Sequence, residues 1–513
     1  MTPHLITLPF VLPLLGGALL MALSNRPAAR HLVAGTLVVT EVVIALLLWH
    51  LAGQGGPGGV SYQVGNWPWP YGITLHLDGL SATMLMLSAT VGAIAVLPGI
   101  GYDDRRNRYA LALAQFQLAG INGSFLAGDL FNLFVMFEVL LISSYALMVH
   151  GHGRVPRAGL VYTVVNLTGS SIFLLGIALL YGATGSLNLV DLAQHLQNMP
   201  ADVAVMGYTG AWLVALVFAL KSALVPIGLW LPGAYAVAGP MAITLFALLT
   251  KVGVYALMRV FGPWFTSDVA ELAAIGEALR VGALATIVLG ALLALGSRTL
   301  RQLAGALVMA SVATALLAVT VGGAEAMSAA LFYMVHSTLA AGGIFLVTAF
   351  VMRLRGAAHD QLDEAPAITH RGPAMLLFLG IAVVVTGMPP LSGFVAKVGV
   401  LQLLAPAPGA GWSIGVVLAG SLVSLLAVVR SGNAIFLRSP MASSSAPAAP
   451  GARVIGVAAL LMLALSVLMT AMAGPFHAWT DAAGKSVVVL PEAAASPAEP
   501  LMANGRVTGG GIE

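Results

Sequence analysis

Long runs of apolar residues, separated by short polar stretches, set the pattern of this chain. A helix needs about 20 consecutive apolar residues to cross a bilayer. Runs of that kind lie near residues 5–24, 31–51, 78–100, 109–127, 129–149, 158–181, 204–231, 240–262, 281–297, 302–321, 327–351, 373–403, 413–436 and 453–476. The pattern predicts an all-α polytopic membrane protein of about fourteen transmembrane helices. The stretch 269–280 fits either the ninth helix or the loop before it. The opening MTPHLITLPFVLPLLGGALLMAL has no basic stretch and no small-residue cleavage site, and so reads as a first transmembrane helix, not a signal peptide. One transmembrane domain is expected over 1–476 and a flexible tail over 477–513, and the low-complexity loop 439–452 reads as flexible too.

Two runs carry breakers at membrane depth. In the seventh, Lys221 is followed by Pro226, Gly228, Pro232 and Gly233. In the twelfth, Gly387, Pro389, Pro390 and Gly393 precede Lys397. Proline has no N–H to give the carbonyl four residues back, and freed carbonyls are tolerated there only where protein or water satisfies them. Paired interrupted helices point to a transporter built from internal repeats. No clear sequence repeat accompanies them; the correspondence is a broken helix plus a lysine.

Composition agrees with the bilayer reading. The 513 residues are 59% hydrophobic and 8% charged, against about 25% charged in soluble domains. The net charge of +3 is small and gives no ground for a nucleic-acid partner. The chain has no cysteine, which excludes disulfides, thiolate metal sites and a cysteine-ligated iron–sulfur cluster. No cofactor or metal is expected, and any redox chemistry would run elsewhere. Arginines concentrate in alternate loops: Arg26, Arg30, Arg105, Arg106, Arg108, Arg154, Arg157, Arg298, Arg301, Arg353, Arg355, Arg371, Arg430, Arg438 and Arg453 lie in odd-numbered ones. Even-numbered loops hold at most Arg259 and Arg280. The positive-inside rule then places the odd loops in the cytoplasm and both termini outside.

Five titratable groups stand inside apolar runs: Glu138, Lys221, Lys251, His336 and Lys397. A charge at a helix centre costs about 2.5–3.5 kcal/mol on insertion scales, so a chain that keeps five such groups is expected to use them as a proton or cation path. Each also has an ordinary reading. Glu138 serves as a hydrogen-bonded structural acid, or as the carboxyl of a relay. Lys221 snorkels to an interface, or changes charge state as a carboxylate partner moves. Lys251 tethers helices, Lys397 caps the carbonyls freed near Pro389 and Pro390, and His336 is a satisfied core residue; in each case the relay is the alternative. Glu41 faces a neighbouring protein of an assembly or a polar pocket. Asp78 and Asp129 read as N-caps of the helices they precede, or as the mouth of an ion path.

Other motifs fall away. AAGKS at 482–486 has Trp479 where a phosphate-binding loop needs glycine. The sequons at Asn122 and Asn166 lie inside membrane helices, and His150 and His152 sit in a solvated loop.

Five segments carry a resemblance: GDLFNLFVMFEVLLISSYAL around Glu138, ALKSALVPIGLWLPGAY around Lys221, LLTKVGVYALMRVF around Lys251, MVHSTL around His336 and GMPPLSGFVAKV around Lys397. In order, over roughly residues 75–440, they resemble the antiporter-like subunits of Mrp-type multisubunit Na+/H+ antiporters and of the proton-pumping arm of respiratory complex I. The resemblance is nearest to the D-type component of the Mrp branch. It implies fourteen helices in two inverted five-helix repeats with helices 7 and 12 broken. It implies that Glu138 and Lys221 form a charge pair, and that Lys251, His336 and Lys397 continue a hydrophilic axis. Gly228 and Tyr235 stand where many complex I members have a histidine, and Ala340 and Ala341 where some carry a lysine. Both departures favour the Mrp branch.

The expected function is a proton-translocating subunit of a cation (Na+ or K+)/proton antiporter in a bacterial inner membrane, not an enzyme. Its partners would be the bilayer, H+, Na+ or K+, and the other Mrp components (A, B, C, E, F and G types). The alternatives are a subunit of a redox-driven complex I-like or hydrogenase-like pump, and a stand-alone transporter for a small organic solute.

Overall fold

The computed structural model describes residues 3–56, 58–67, 71–101, 108–149, 157–356, 359–363, 368, 371–407, 409–438 and 450–488. Among these, helix dominates. The first part of the chain gives α1 (Leu8–Ala22), α2 (Pro27–Gln54), α3 (Gly79–Gly101), α4 (Ala110–Leu126), α5 (Leu130–Val149), α6 (Arg157–Thr184), α7 (Leu189–Gln197), α8 (Ala204–Lys221) and α9 (Trp230–Val237). There follow α10 (Pro240–Phe261), α11 (Ala270–Gly296), α12 (Leu300–Val319), α13 (Gly323–Arg355), α14 (Arg371–Thr386), α15 (Ser392–Leu404), α16 (Ala410–Gly432), α17 (Ala452–Ala471) and α18 (Ala473–Val488). A short antiparallel hairpin of β1 (Val60–Gln63) and β2 (Thr74–Leu77), with Val60 opposite Leu77, joins α2 to α3.

Each of the fourteen apolar runs contains helix, but among the described residues twelve helices are long and apolar enough to cross a membrane by length and composition. The fourth run is the 17-residue α4, and the twelfth is divided into α14 and α15 by its prolines. The stretch 270–280 belongs to α11, and so to the ninth helix. The amphipathic α7, capped by the Asn188 side chain on Val190 N–H at 3.0 Å, lies between the sixth and seventh runs.

Burial orders the bundle. The apolar stretch of α10 is wholly buried, while only 33% of that of α17 is. A helix that is hydrophobic all round belongs in the core, and one with a bare apolar face belongs against lipid. Lys251, midway along α10, is therefore central.

Both breaks form as the prolines require. At the first, Ser222 and Ala223 N–H groups bond back to the Phe218 and Leu220 carbonyls at 2.9 and 3.0 Å, and Ala223 takes the left-handed conformation at φ +57°. Val225 N–H donates to Thr286 Oγ1 on α11 at 2.9 Å. At the second, Gly387 takes φ +75°, which glycine adopts without a Cβ penalty, and Met388 N–H bonds the Val383 carbonyl at 3.1 Å.

The expected tail from 477 is corrected up to Val488: these residues form most of α18, packed on the bundle. Trp479 stacks on Trp49 with ring centroids 4.1 Å apart and donates to Thr83 Oγ1 at 2.9 Å, so aromatic burial outweighs the segment's polar composition. AAGKS lies within this helix. Residues 489–513, loop residues 439–449, Arg105, Arg106, Arg154, His150 and His152 lie outside the described residues.

Candidate functional site

The breaks bring lysines to carbonyls. Lys221, the last residue of α8, is buried and donates to the Asn166 carbonyl at 3.3 Å and to Ser170 Oγ at 3.4 Å on α6. Glu138 on α5 acts on it through space without a direct ion pair. Its Oε1 is buried and makes no hydrogen bond, and the same holds for the hydroxyl of Tyr145, two turns further along α5.

Lys251 is 1% exposed, and its Nζ has no hydrogen-bond partner. Next to it, α10 runs hard against the first break: a Cβ on Gly253 would lie 2.8 Å from Ser222 N. The neighbouring Thr250 Oγ1 and Ser222 Oγ are buried and unbonded as well. Buried polar atoms are normally paired, so this cluster of orphans marks a polar seam through an apolar core.

His336 on α13 is buried, with Nδ1 3.1 Å from Ser392 Oγ at the start of α15. Lys397 and Lys251 both act on it electrostatically. The chain at the second break passes close by: a Cβ on Gly393 would lie 2.9 Å from His336 Cε1 and collide with the Val384 carbonyl oxygen. Lys397 Nζ donates to the Thr386 carbonyl at 2.7 Å and to Ser421 Oγ at 2.8 Å. Thr386 is four residues before Pro390, so this carbonyl is the one the proline leaves free. The capping geometry expected of Lys397 is therefore present.

The five residues fall into two groups: Glu138 with Lys221, and Lys251 with His336 and Lys397. The α10–Ser222 contact is where the two meet. Glu41 is buried beside Gln115 on α4. Asp129 caps α5, accepting from Asn132 N–H at 2.7 Å, and burial raises its carboxyl above the usual range.

Asp78 caps α3 through Ser81 N–H at 2.9 Å, but does more. Its carboxylate forms two bonds of 2.7 Å with the Arg259 guanidinium at the end of α10. Arg259 also donates to the Tyr255 hydroxyl, which bonds the Phe125 carbonyl, and Ser486 of α18 donates to Asp78. Burial works against the Asp78 anion, yet Arg259 beside it holds the carboxyl well below the usual range. Burial pushes the adjoining His76 imidazole down to about 4, with Asp78 opposing. Arg280 is paired too, with Glu277 at 2.7 Å, so both exceptions to the arginine pattern carry a carboxylate partner.

Sequence reasoning missed this cluster and the hydroxyls that answer Lys221, His336 and Lys397: Ser170, Ser392 and Ser421. Their signal was faint, a small hydroxyl inside an apolar run.

A polytopic helical bundle that buries titratable groups beside two broken helices has the build of an ion-translocating membrane protein. More particularly, the chain belongs to the NADH:quinone oxidoreductase/Mrp antiporter transmembrane family, whose sequence profile matches residues 127–426. It is 38% identical over 431 residues to the D-type subunit of a probable K+/H+ antiporter of Rhizobium meliloti (strain 1021), covering 79% of this chain and 80% of that one. It is 32% identical over 403 residues to the D-type subunit of the Na+/H+ antiporter of Bacillus subtilis (strain 168), covering 77% and 79%. Its fold matches a chain of the Mrp complex from Dietzia sp. DQ12-45-1b at TM-score 0.82 and 25% identity, over 96% of this chain and 98% of that one. A chain of the archaeal membrane-bound sulfane sulfur reductase matches at TM-score 0.86 and 24% identity, over 94% and 98%, a likeness of fold.

Proposed function

We propose that this chain is the proton-translocating membrane subunit of a multisubunit monovalent cation/proton antiporter. It works beside the other Mrp components in a bacterial inner membrane, with both termini on the outer side. Protons pass along water and side chains from Lys221 through Lys251 and His336 to Lys397. Glu138 tunes Lys221 electrostatically, so the geometry of that pair and its proton occupancy are linked. Inward proton flow drives Na+ or K+ outward, and the membrane potential contributes about 2.3 kcal/mol per charge per 100 mV. A companion protein of the complex is free to hold the cation.

The observation that carries this reading is Lys251: a buried amine without a hydrogen-bond partner, midway along a wholly buried helix that packs against the first break at Ser222. A lysine kept only to tether helices would have an acceptor. The relatives named as D-type antiporter subunits supply the cation half of the proposal.

The test uses everted vesicles from an antiporter-deficient host expressing the whole complex, with a ΔpH dye and added Na+ or K+. Cation-evoked proton movement is expected in the wild type and is lost in Glu138→Ala and Lys221→Ala. Antiport that survives both variants overturns the relay. Proton pumping on addition of a reductant, with no cation response, moves the chain to a redox-driven assembly.

A further inference from the structure

A cavity of about 1110 Å³ opens at the end of the bundle where α18 lies. Its rim includes Glu325 at the start of α13 and His477 and Asp481 on α18. Its deep end is formed by Phe332 on α13 and by Val395 and Ala396 on α15. Phe332 precedes His336 by one helical turn, and Ala396 follows Ser392 by one turn. The cavity therefore runs down the seam between α13 and α15 toward the His336–Ser392 hydrogen bond, and its lining reaches Val395, Ala396 and the Phe332 ring, about one helical turn away. That ring, Phe332, contacts Phe476 and His477 of α18, with centroids 5.3 and 6.2 Å apart.

The rim carries a hydrogen-bonded imidazole–carboxyl pair. His477 Nδ1 lies 3.0 Å from Asp481 Oδ2, and Ser328 on α13 donates to Asp481 Oδ1. Ser328, Phe332 and His336 follow one another at four-residue spacing on the same stripe of α13. The two α18 side chains are half exposed, at 57% and 47%, while Trp479, Ala483 and Ser486 of the same helix pack onto the bundle. The other charged groups facing this space are Glu277 and Arg280 on α11, already paired with each other, Glu325 on α13 and Lys485 on α18. The lining from α15, from residues 320–322 after α12 and from Ser413 on α16 is uncharged.

We propose that His477 and Asp481 are the terminal proton-exchange pair of the relay, passing protons between the outer phase and His336 through this cavity. The inference rests on the antiporter reading and adds its outward end. In the step, the Asp481 carboxylate or the neutral His477 imidazole takes a proton from the outer phase and hands it through water in the cavity to the neutral His336 imidazole, the sense of inward flow; one O–H or N–H bond forms for each that breaks. Phe332, held by Phe476 and His477, stands in the water path, so the seating of α18 governs access to His336.

Two measurements test this in the assembled complex. In vesicles, Asp481→Asn and His477→Gln are each expected to slow cation-evoked proton movement about tenfold, within the range of a lost acid–base group, and to shift its pH profile. Because the chain has no cysteine, Gln402→Cys and Ala396→Cys report access directly. Both are expected to react with a membrane-impermeant thiol reagent added from the outer side. Wild-type rate and pH profile in both rim variants overturn the proposal, as does a slowed rate with an unchanged profile, which marks a structural pair. Failure of Ala396→Cys to react while Gln402→Cys reacts overturns it as well. Lys221→Ala runs alongside: if it keeps antiport, the underlying reading fails; if it loses antiport while the rim variants do not, only this proposal fails.

Discussion

The Asp78–Arg259 pair gives the sharpest energetic prediction. Asp78 is fully buried and Arg259 is 9% exposed, so neither charge is rescued by solvent if the other is removed. Two charge-assisted bonds of 2.7 Å join them. Asp78→Leu leaves the guanidinium with only the Tyr255 hydroxyl. Arg259→Met leaves the carboxylate with Ser81, Ser486 and a His76 contact at 3.8 Å. Breaking a buried pair from one side costs about 3–5 kcal/mol, since an uncompensated charge stays behind. The double variant removes both charges and replaces them with apolar side chains of similar bulk. It is expected to sit well above the sum of the two losses, with a coupling energy within the roughly 0.5–3 kcal/mol seen for contacting groups. Denaturant unfolding of the purified chain in detergent, followed by tryptophan fluorescence, measures all four corners of the cycle. Single variants within about 0.5 kcal/mol of wild type, the range of an inert surface change, refute the reasoning. Strict additivity in the double variant refutes it equally.

Two further outcomes are expected. His76 has a folded pKa near 4 against an ordinary value of 6.5, so the unfolded chain binds the proton first as pH falls. Stability is therefore lost on acidification between those two values, and His76→Gln flattens that part of the pH–stability curve; an unchanged curve rejects the account. At Gly393 an added methyl meets backbone, not a movable side chain, so Gly393→Ala forces the second break apart. It is expected to cost about 1–3 kcal/mol and to impair transport with Lys397 intact, which wild-type-like unfolding and antiport would contradict.

Much of the fold was legible because the bilayer imposes long apolar runs and makes every charge within them conspicuous. Lys221 and Lys397 announced themselves in that way, and the prolines beside them marked the breaks. The residues that answer those lysines did not. Ser421 and Ser392 look like any small residue in a membrane helix until tertiary packing sets them beside Lys397 and His336. Arg259 was readable as one of two exceptions to the arginine alternation and Asp78 as a helix cap. Their pairing joins residues 181 positions apart, and no local pattern encodes it. For α18 the misleading signal was composition: small and polar residues suggested a tail, while Trp479 and Ser486 anchor it through partners near the start of the chain. The fourth run, read as a span, forms a helix of 17 residues, at the short end of what crosses a bilayer.

That anchoring bears on how the molecule is made. The hydrogen bonds from Trp479 to Thr83 and from Ser486 to Asp78 close over 396 and 408 residues. During synthesis, α2 and α3 enter the bilayer long before their partner leaves the ribosome. Until then Trp49 lacks its stacking partner and Asp78 lacks the Ser486 hydroxyl. α18 is thus a late closing piece of biogenesis. A chain that has not yet reached Ser486 leaves Trp49, Thr83 and the Asp78 end of α3 uncovered.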